Sequence, residues 1–339
     1  MRLRNCIGSL LLTLMLCSCN SWLDVDLINQ SEESDLFSTE RGFSEALAGV
    51  YCDIAASNMY GQTLSFGMLD IMSRIYDYSQ IPNKMKIFRD YDYENKDMKS
   101  YIYLLWSSFY ANIAALNNIL EWSEKNASVL SDERRNQVRG EALALRGLLH
   151  FDIYRLFATD VKLDPTARVL PYQTKFGVKT SPVYSTMDYL NLVIGDLEDA
   201  VKYLENDPIK EVKPYQLGNG DDENKDGADL YVARMNYYAT KALLARVYLS
   251  MGGDKIKDAR RLAEEVIDCG KFALVDYERS LNTDEANKDL LFSDEHIFSL
   301  RGQNVKTDAE GVHKQITGTD GNVQMASGYQ SVLYLGDLE

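Results

Sequence analysis

The chain has 339 residues, 45% of them hydrophobic, enough for about two domains and a sizeable core. Its 51 acidic against 36 basic residues leave a net charge of -15, which argues strongly against a nucleic-acid partner, since phosphate contacts need a concentrated basic surface. Three histidines and five cysteines leave little material for a metal enzyme, and no apolar run reaches the roughly 18 residues of a spanning helix. Tyrosine, at 22 residues, exceeds Phe and Trp combined and supplies flat apolar faces with polar edges, suited to polar ligands.

The first segment reads as a targeting signal, residues 1–18, and is set apart from the fold. Arg2 and Arg4 precede an apolar stretch from Ile7 to Leu16, and Leu16-Cys17-Ser18-Cys19 then resembles a bacterial lipobox. Cleavage before Cys19 leaves its thiol for acylation, and acyl chains tether a soluble body at about 0.8 kcal/mol per buried CH₂. Further along, Phe43, Leu47, Val50, Tyr51 and Ile54 follow the three-four spacing of a helix, with Ser38 or Thr39 placed to cap it. The stretch from Tyr60 to Tyr93 is weakly periodic and rich in tyrosine. A long stripe from Ile102 through Leu105, Trp106, Phe109, Ile113 and Leu116 to Leu120 predicts a second helix, with Trp106 in its core face. Ala142, Leu145, Leu149, Ile153 and Leu156 predict a third, ending before Asp164-Pro165.

Met187, Leu190, Ile194, Leu197, Val201 and Leu204 mark the next helix, with Ser185 and Asp188 as a variant capping box. Residues 205–233 read as a long loop of Gly, Asp and Asn. A helix over Tyr237–Met251 and another around Ala259, Leu262, Ala263, Val266 and Ile267 flank the tight turn Gly252-Gly253-Asp254. Lys271 to Val275 and His296 to Leu300 read as short strands. The fold class is therefore mainly α: a helical domain over 19–301 with long loops and a few short strands. Residues 302–339, polar and glycine-rich, read as an incomplete C-terminal region.

The residues offer little covalent chemistry. His150 sits between Leu149 and Phe151 on an apolar helix, so it reads as a packed histidine, and no GxSxG or HExxH pattern occurs. Cys52 and Cys269 lie in apolar helical contexts and read as buried free thiols, a disulfide between them being the alternative. Asp222, Asn224 and Asp226, followed by Gly227, match the opening of a calcium loop, with Ala233 at the position where a bidentate Glu closes an EF-hand. The segment is either a calcium site or a solvated acidic loop, and no other cofactor is expected. Tyr76-Asp77-Tyr78 and Tyr91-Asp92-Tyr93 offer aromatic faces beside carboxylates, the pairing that holds sugars. Tyr76, Asp77, Tyr78, Tyr91 and Tyr93 are the candidate ligand residues; the alternative is that they cover the flank of the bundle.

Four separated motifs carry a resemblance. Ser18-Cys19-Asn20-Ser21-Trp22-Leu23-Asp24 is similar to the opening of the SusD/RagB nutrient-uptake lipoproteins of Bacteroidetes, and Ala46-Leu47-Ala48-Gly49-Val50-Tyr51 to their next landmark. The segments from Glu141 to Phe151 and from Arg234 to Leu249 resemble the family's later helices. The resemblance implies a stack of TPR-like helix pairs, without the C-terminal part that completes the longer members and their ligand site. It also implies a surface-exposed, lipid-anchored outer-membrane protein that binds an oligosaccharide without covalent chemistry. The protein would deliver that ligand to a TonB-dependent SusC-like transporter. A peptide binder of the same family and a TPR-like scaffold that binds only protein are the alternatives.

Overall fold

The computed structural model describes residues 33–74, 83–179, 181–211, 231–274, 278 and 292–310. Eight helices and one hairpin carry the architecture: α1 (Glu40–Ile54), α2 (Met68–Ser73), α3 (Asn83–Arg89), α4 (Lys96–Lys125), α5 (Asp132–Phe157), β1 (Arg168–Pro171), β2 (Val183–Ser185), α6 (Thr186–Tyr203), α7 (Tyr237–Met251) and α8 (Lys255–Asp268). Side chains set the starts of the main helices by accepting from orphan first-turn amides. Thr39 caps α1 through the amide of Gly42, Asn95 caps α4, Ser131 caps α5, Ser185 caps α6 and Asn236 caps α7. Gly252 and Gly253, both at positive φ (72° and 56°), make the turn between α7 and α8.

Successive helices pack on one another: α4 and α6 flank α5, α7 packs on α6, α8 on α7 and α1 on α4. This is the TPR-like stack of helix pairs that the resemblance implied. α5 is its central member, and from Gly140 to Tyr154 nearly every side chain is buried, whichever way it points. Two glycines on one face of α5 admit α6 closely. A Cβ on Gly147 would lie 2.7 Å from Leu197, and one on Gly140 would lie 2.5 Å from Leu204. The interface also holds charge. Arg146 makes two 2.6 Å bonds to Asp196 and a third, of 2.7 Å, to Asn117, while Tyr172 donates to Asp196 at 2.6 Å. A buried ion pair survives when its remaining donors and acceptors are also satisfied, as here.

Three expectations are corrected. Cys52 is exposed, because Phe43, Leu47, Val50 and Ile54 form the buried face of α1 and residue 52 falls about opposite Val50. Cys269 is half-buried at the end of α8, its thiol on the carbonyl of Val266. Neither 271–274 nor 296–300 forms a strand: single bonds, Ala273 N–H to Asp294 O and Ser299 N–H to Val232 O, stand in place of a ladder. The strands fall instead at Arg168–Pro171 and Val183–Ser185, antiparallel, with an irregularity between Arg168 and Leu170. Trp106 is half-buried rather than fully enclosed, packed edge-on to Phe157.

Candidate functional site

Three places on the described surface could receive a ligand. The first follows α3. Tyr91 adopts a left-handed backbone (φ 53°) just past the end of that helix, its ring lies 5.0 Å from the Arg74 guanidinium, and its hydroxyl donates to the carbonyl of Met72. Arg74 in turn donates to the carbonyl of Arg89, so the turn is pinned from two sides. Tyr93 is 50% exposed, and its side chain has no hydrogen-bond partner among the described residues. On the first turns of α4, Tyr101 packs edge-on against Phe88, while Tyr103 and Leu104 are 70% and 55% exposed. The candidate residues Tyr91 and Tyr93 are thus partly exposed, at 38% and 50%. Tyr76, Asp77 and Tyr78 lie outside the described residues, as do Cys19 and the calcium-loop residues Asp222, Asn224 and Asp226.

The second place is a cavity of about 660 Å³ bounded by Tyr51, Arg134, Glu141, Tyr231, Arg234 and Arg301. Its floor is a closed polar network. Tyr51 donates to Glu141 at 3.0 Å and accepts from the Met235 amide at 2.8 Å. Arg234 reaches Glu141 at 3.3 Å and Asp207 at 2.6 Å, and Asp207 also receives the amides of Ile209 and Tyr237. Burial raises the Glu141 carboxyl against the pull of Arg234, and burial together with Glu141 pushes the Tyr51 hydroxyl well above its ordinary range. The network ties the segment entering α7 to α1 and α5.

The third is a cavity of about 650 Å³, lined among others by Tyr60, Asp152, Arg155, Arg246, Phe298 and Leu300. Tyr60 donates to Asp152 at 2.5 Å, and Arg155 donates to the other oxygen of that carboxylate at 3.0 Å. The segment around residue 297 is tied to the start of α7 by Asn236, whose amide donates to Ile297 O at 2.8 Å. Asp152, Arg155 and Arg246 carry little signal in the sequence. The signal was a carboxylate and a guanidinium interrupting apolar helical runs, at Phe151-Asp152-Ile153 and Ala245-Arg246-Val247.

His150 is not part of any site. It is fully buried, stacks on Tyr172 at 3.8 Å and bonds Tyr189 at 2.7 Å, and burial brings it down to about 3. A histidine held neutral and sealed from solvent is the packed residue its sequence context predicts. Among the described residues no three His, Cys, Asp or Glu side chains gather as a metal site, and no helix is long and apolar enough to cross a membrane.

The described residues form a stack of helix pairs, a helical-repeat scaffold, with tyrosines at its surface and two cavities of about 650 and 660 Å³. A sequence model of the family described as SusD-like, "Starch-binding associating with outer membrane", matches residues 21–216, and the chain belongs to that family. Solved structures share the fold. A SusD-like carbohydrate binding protein from Bacteroides vulgatus ATCC 8482 is 16% identical with a TM-score of 0.61, over 87% of this chain and 58% of that one. A SusD superfamily protein from Bacteroides fragilis is 21% identical with a TM-score of 0.57, over 78% and 56%. A SusD homolog from Bacteroides thetaiotaomicron VPI-5482 is 20% identical with a TM-score of 0.52, over 72% and 43%. The chain thus spans about half the length of the structures it matches. None of the curated proteins compared with it matches.

Proposed function

We propose that this chain is a surface lipoprotein of the outer membrane, anchored through Cys19, that captures a nutrient oligosaccharide and passes it to a TonB-dependent SusC-like transporter without covalent chemistry. The match over residues 21–216 to a starch-binding, outer-membrane-associating family carries the reading. The tyrosine surface supports it, since Tyr91 and Tyr93 present rings to solvent on a pinned turn, and sugar C–H faces stack on such rings. In this reading Tyr76, Asp77 and Tyr78 are further ligand residues, and Asp222, Asn224 and Asp226 form a solvated acidic loop or hold a calcium ion.

Calorimetry of the purified chain against a panel of neutral and acidic oligosaccharides and short peptides, with and without calcium, tests the function. One glycan class should give saturable heat, weakened about tenfold or more when Tyr91 and Tyr93 are both changed to Ala. Heat from peptides alone, or none from a folded sample, overturns the glycan assignment. The anchor is tested by metabolic labelling with a fatty acid, which Cys19→Ala should abolish.

A further inference from the structure

The cavity between α5, α7 and the 298–300 segment contains a charge with no ion-pair or hydrogen-bond partner among the described residues. Arg246 lines it from an exposed position on α7 and has neither an ion pair nor a hydrogen bond to any described residue. The other charges on its walls, Asp152 and Arg155, are paired with each other, and Tyr60 takes the second oxygen of Asp152. Asp152, Arg155 and Arg246 together leave the cavity with one uncompensated positive charge. The rest of the wall is mostly hydrocarbon and aromatic: Leu64, Leu69, Leu148, Leu156, Phe298 and Leu300. A volume of about 650 Å³ lies within the roughly 300–1,000 Å³ of ligand pockets.

We propose that this cavity is a subsite for an acidic sugar unit, in which Arg246 receives a carboxylate of a uronate residue while the C–H face of the ring lies against Phe298 and the leucines. The inference rests on the glycan-binding reading above and narrows it to charged glycans. Three features select this class. The guanidinium presents a planar fork of donors that matches a carboxylate. The net charge of the site is balanced by a monoanion, whereas a phosphate dianion would add repulsion from the buried Asp152. The apolar wall favours a ligand whose ring offers C–H surface beside its charged group.

The test compares trigalacturonate with its methyl ester, which has the same skeleton without the charge, by calorimetry on the full chain. The acid should bind about tenfold or more tightly, as expected of hydrogen bonds to a charged partner. Added salt should narrow the difference. Arg246→Gln should remove the preference for the acid with no change in the thermal midpoint, and Arg246→Lys should keep part of it. Equal affinity for acid and ester, or an acid preference that survives Arg246→Gln, overturns the assignment. If neutral oligosaccharides bind and uronates show no advantage, the acidic subsite fails and glycan capture stands; if no glycan binds, both fail. Binding of a peptide carboxylate through Arg246, with no uronate binding, also overturns it and gives the cavity to polypeptide.

Discussion

Two places along α5 carry the same arrangement with opposite outcomes. At Glu141 and again at Asp152, about three turns apart, a carboxylate from the central helix accepts a tyrosine hydroxyl from the N-terminal region, Tyr51 in one case and Tyr60 in the other. An arginine of the α7 segment stands by each: Arg234 beside Glu141, Arg246 lining the cavity with Asp152. Arg234 is clamped between Glu141 and Asp207, so every charge in its network has a partner. Arg246 has none among the described residues. What separates the two stations is the balance of charge: the chain after α6 supplies a second acid, Asp207, to the first, whereas at the second the single acid, Asp152, is taken up by Arg155. A polar cluster that closes on itself serves the fold, and one left a charge short is open to a ligand.

Breaking the closed station should have the largest effect. Arg234→Ala leaves Glu141 and Asp207 buried without their cation and should cost about 3–5 kcal/mol in chemical denaturation. The buried histidine of the core beside the open station makes part of the stability depend on pH. Because burial lowers His150 to about 3 from 6.5, the folded state binds fewer protons than the unfolded chain between those values. Stability that is complete above 6.5 is therefore lost as pH falls through that window, by up to about 1.4 kcal/mol per pH unit. Denaturant titrations across the same range should show His150→Gln flattening this slope.

The tyrosines sharpen the contrast on a smaller scale. Tyr51→Phe strands the Met235 amide as well as one oxygen of Glu141, and should cost about 1–3 kcal/mol. Tyr60→Phe leaves Asp152 its bond to Arg155 and should cost about 1 kcal/mol, so the difference between the two variants measures how far each station is committed to the fold. Arg246→Ala should change stability by no more than about 0.5 kcal/mol, since the side chain is exposed and unpaired. A large loss in that last variant would mean that Arg246 is structural.

The helices were legible because apolar spacing and capping residues lie within one or two turns of each other. Thr39, Ser185 and the Tyr237–Met251 span could be read that way. Strands did not form over 271–274 or 296–300 because a strand depends on a distant partner, and these residues make single bonds to Asp294 and Val232 instead. Periodicity alone would have placed Cys52 on the outer face of α1, whereas its apolar neighbours suggested burial. The site was less legible. Tyr91 and Tyr93 could be singled out by composition, but the open state of Arg246 depends on which acids sit near it after folding. Nothing within a few residues of Ala245-Arg246-Val247 distinguishes it from Arg234, whose acids come from α5 and the turn after α6.

The two glycines of α5 act as a key cut with two notches. Gly140 and Gly147 are seven residues apart, as are Leu204 and Leu197, which seat on them from the antiparallel α6. Only one axial offset lets both leucines drop in. Sliding α6 by a turn, about 5.4 Å, would drive at least one of them into a full-sized side chain such as Leu143 or Phe151. The stack is therefore indexed in discrete steps rather than free to creep along its axis. Since α7 rests on α6, that index also fixes how far along α5 the guanidinium of Arg246 stands, and with it the depth at which the cavity offers its charge.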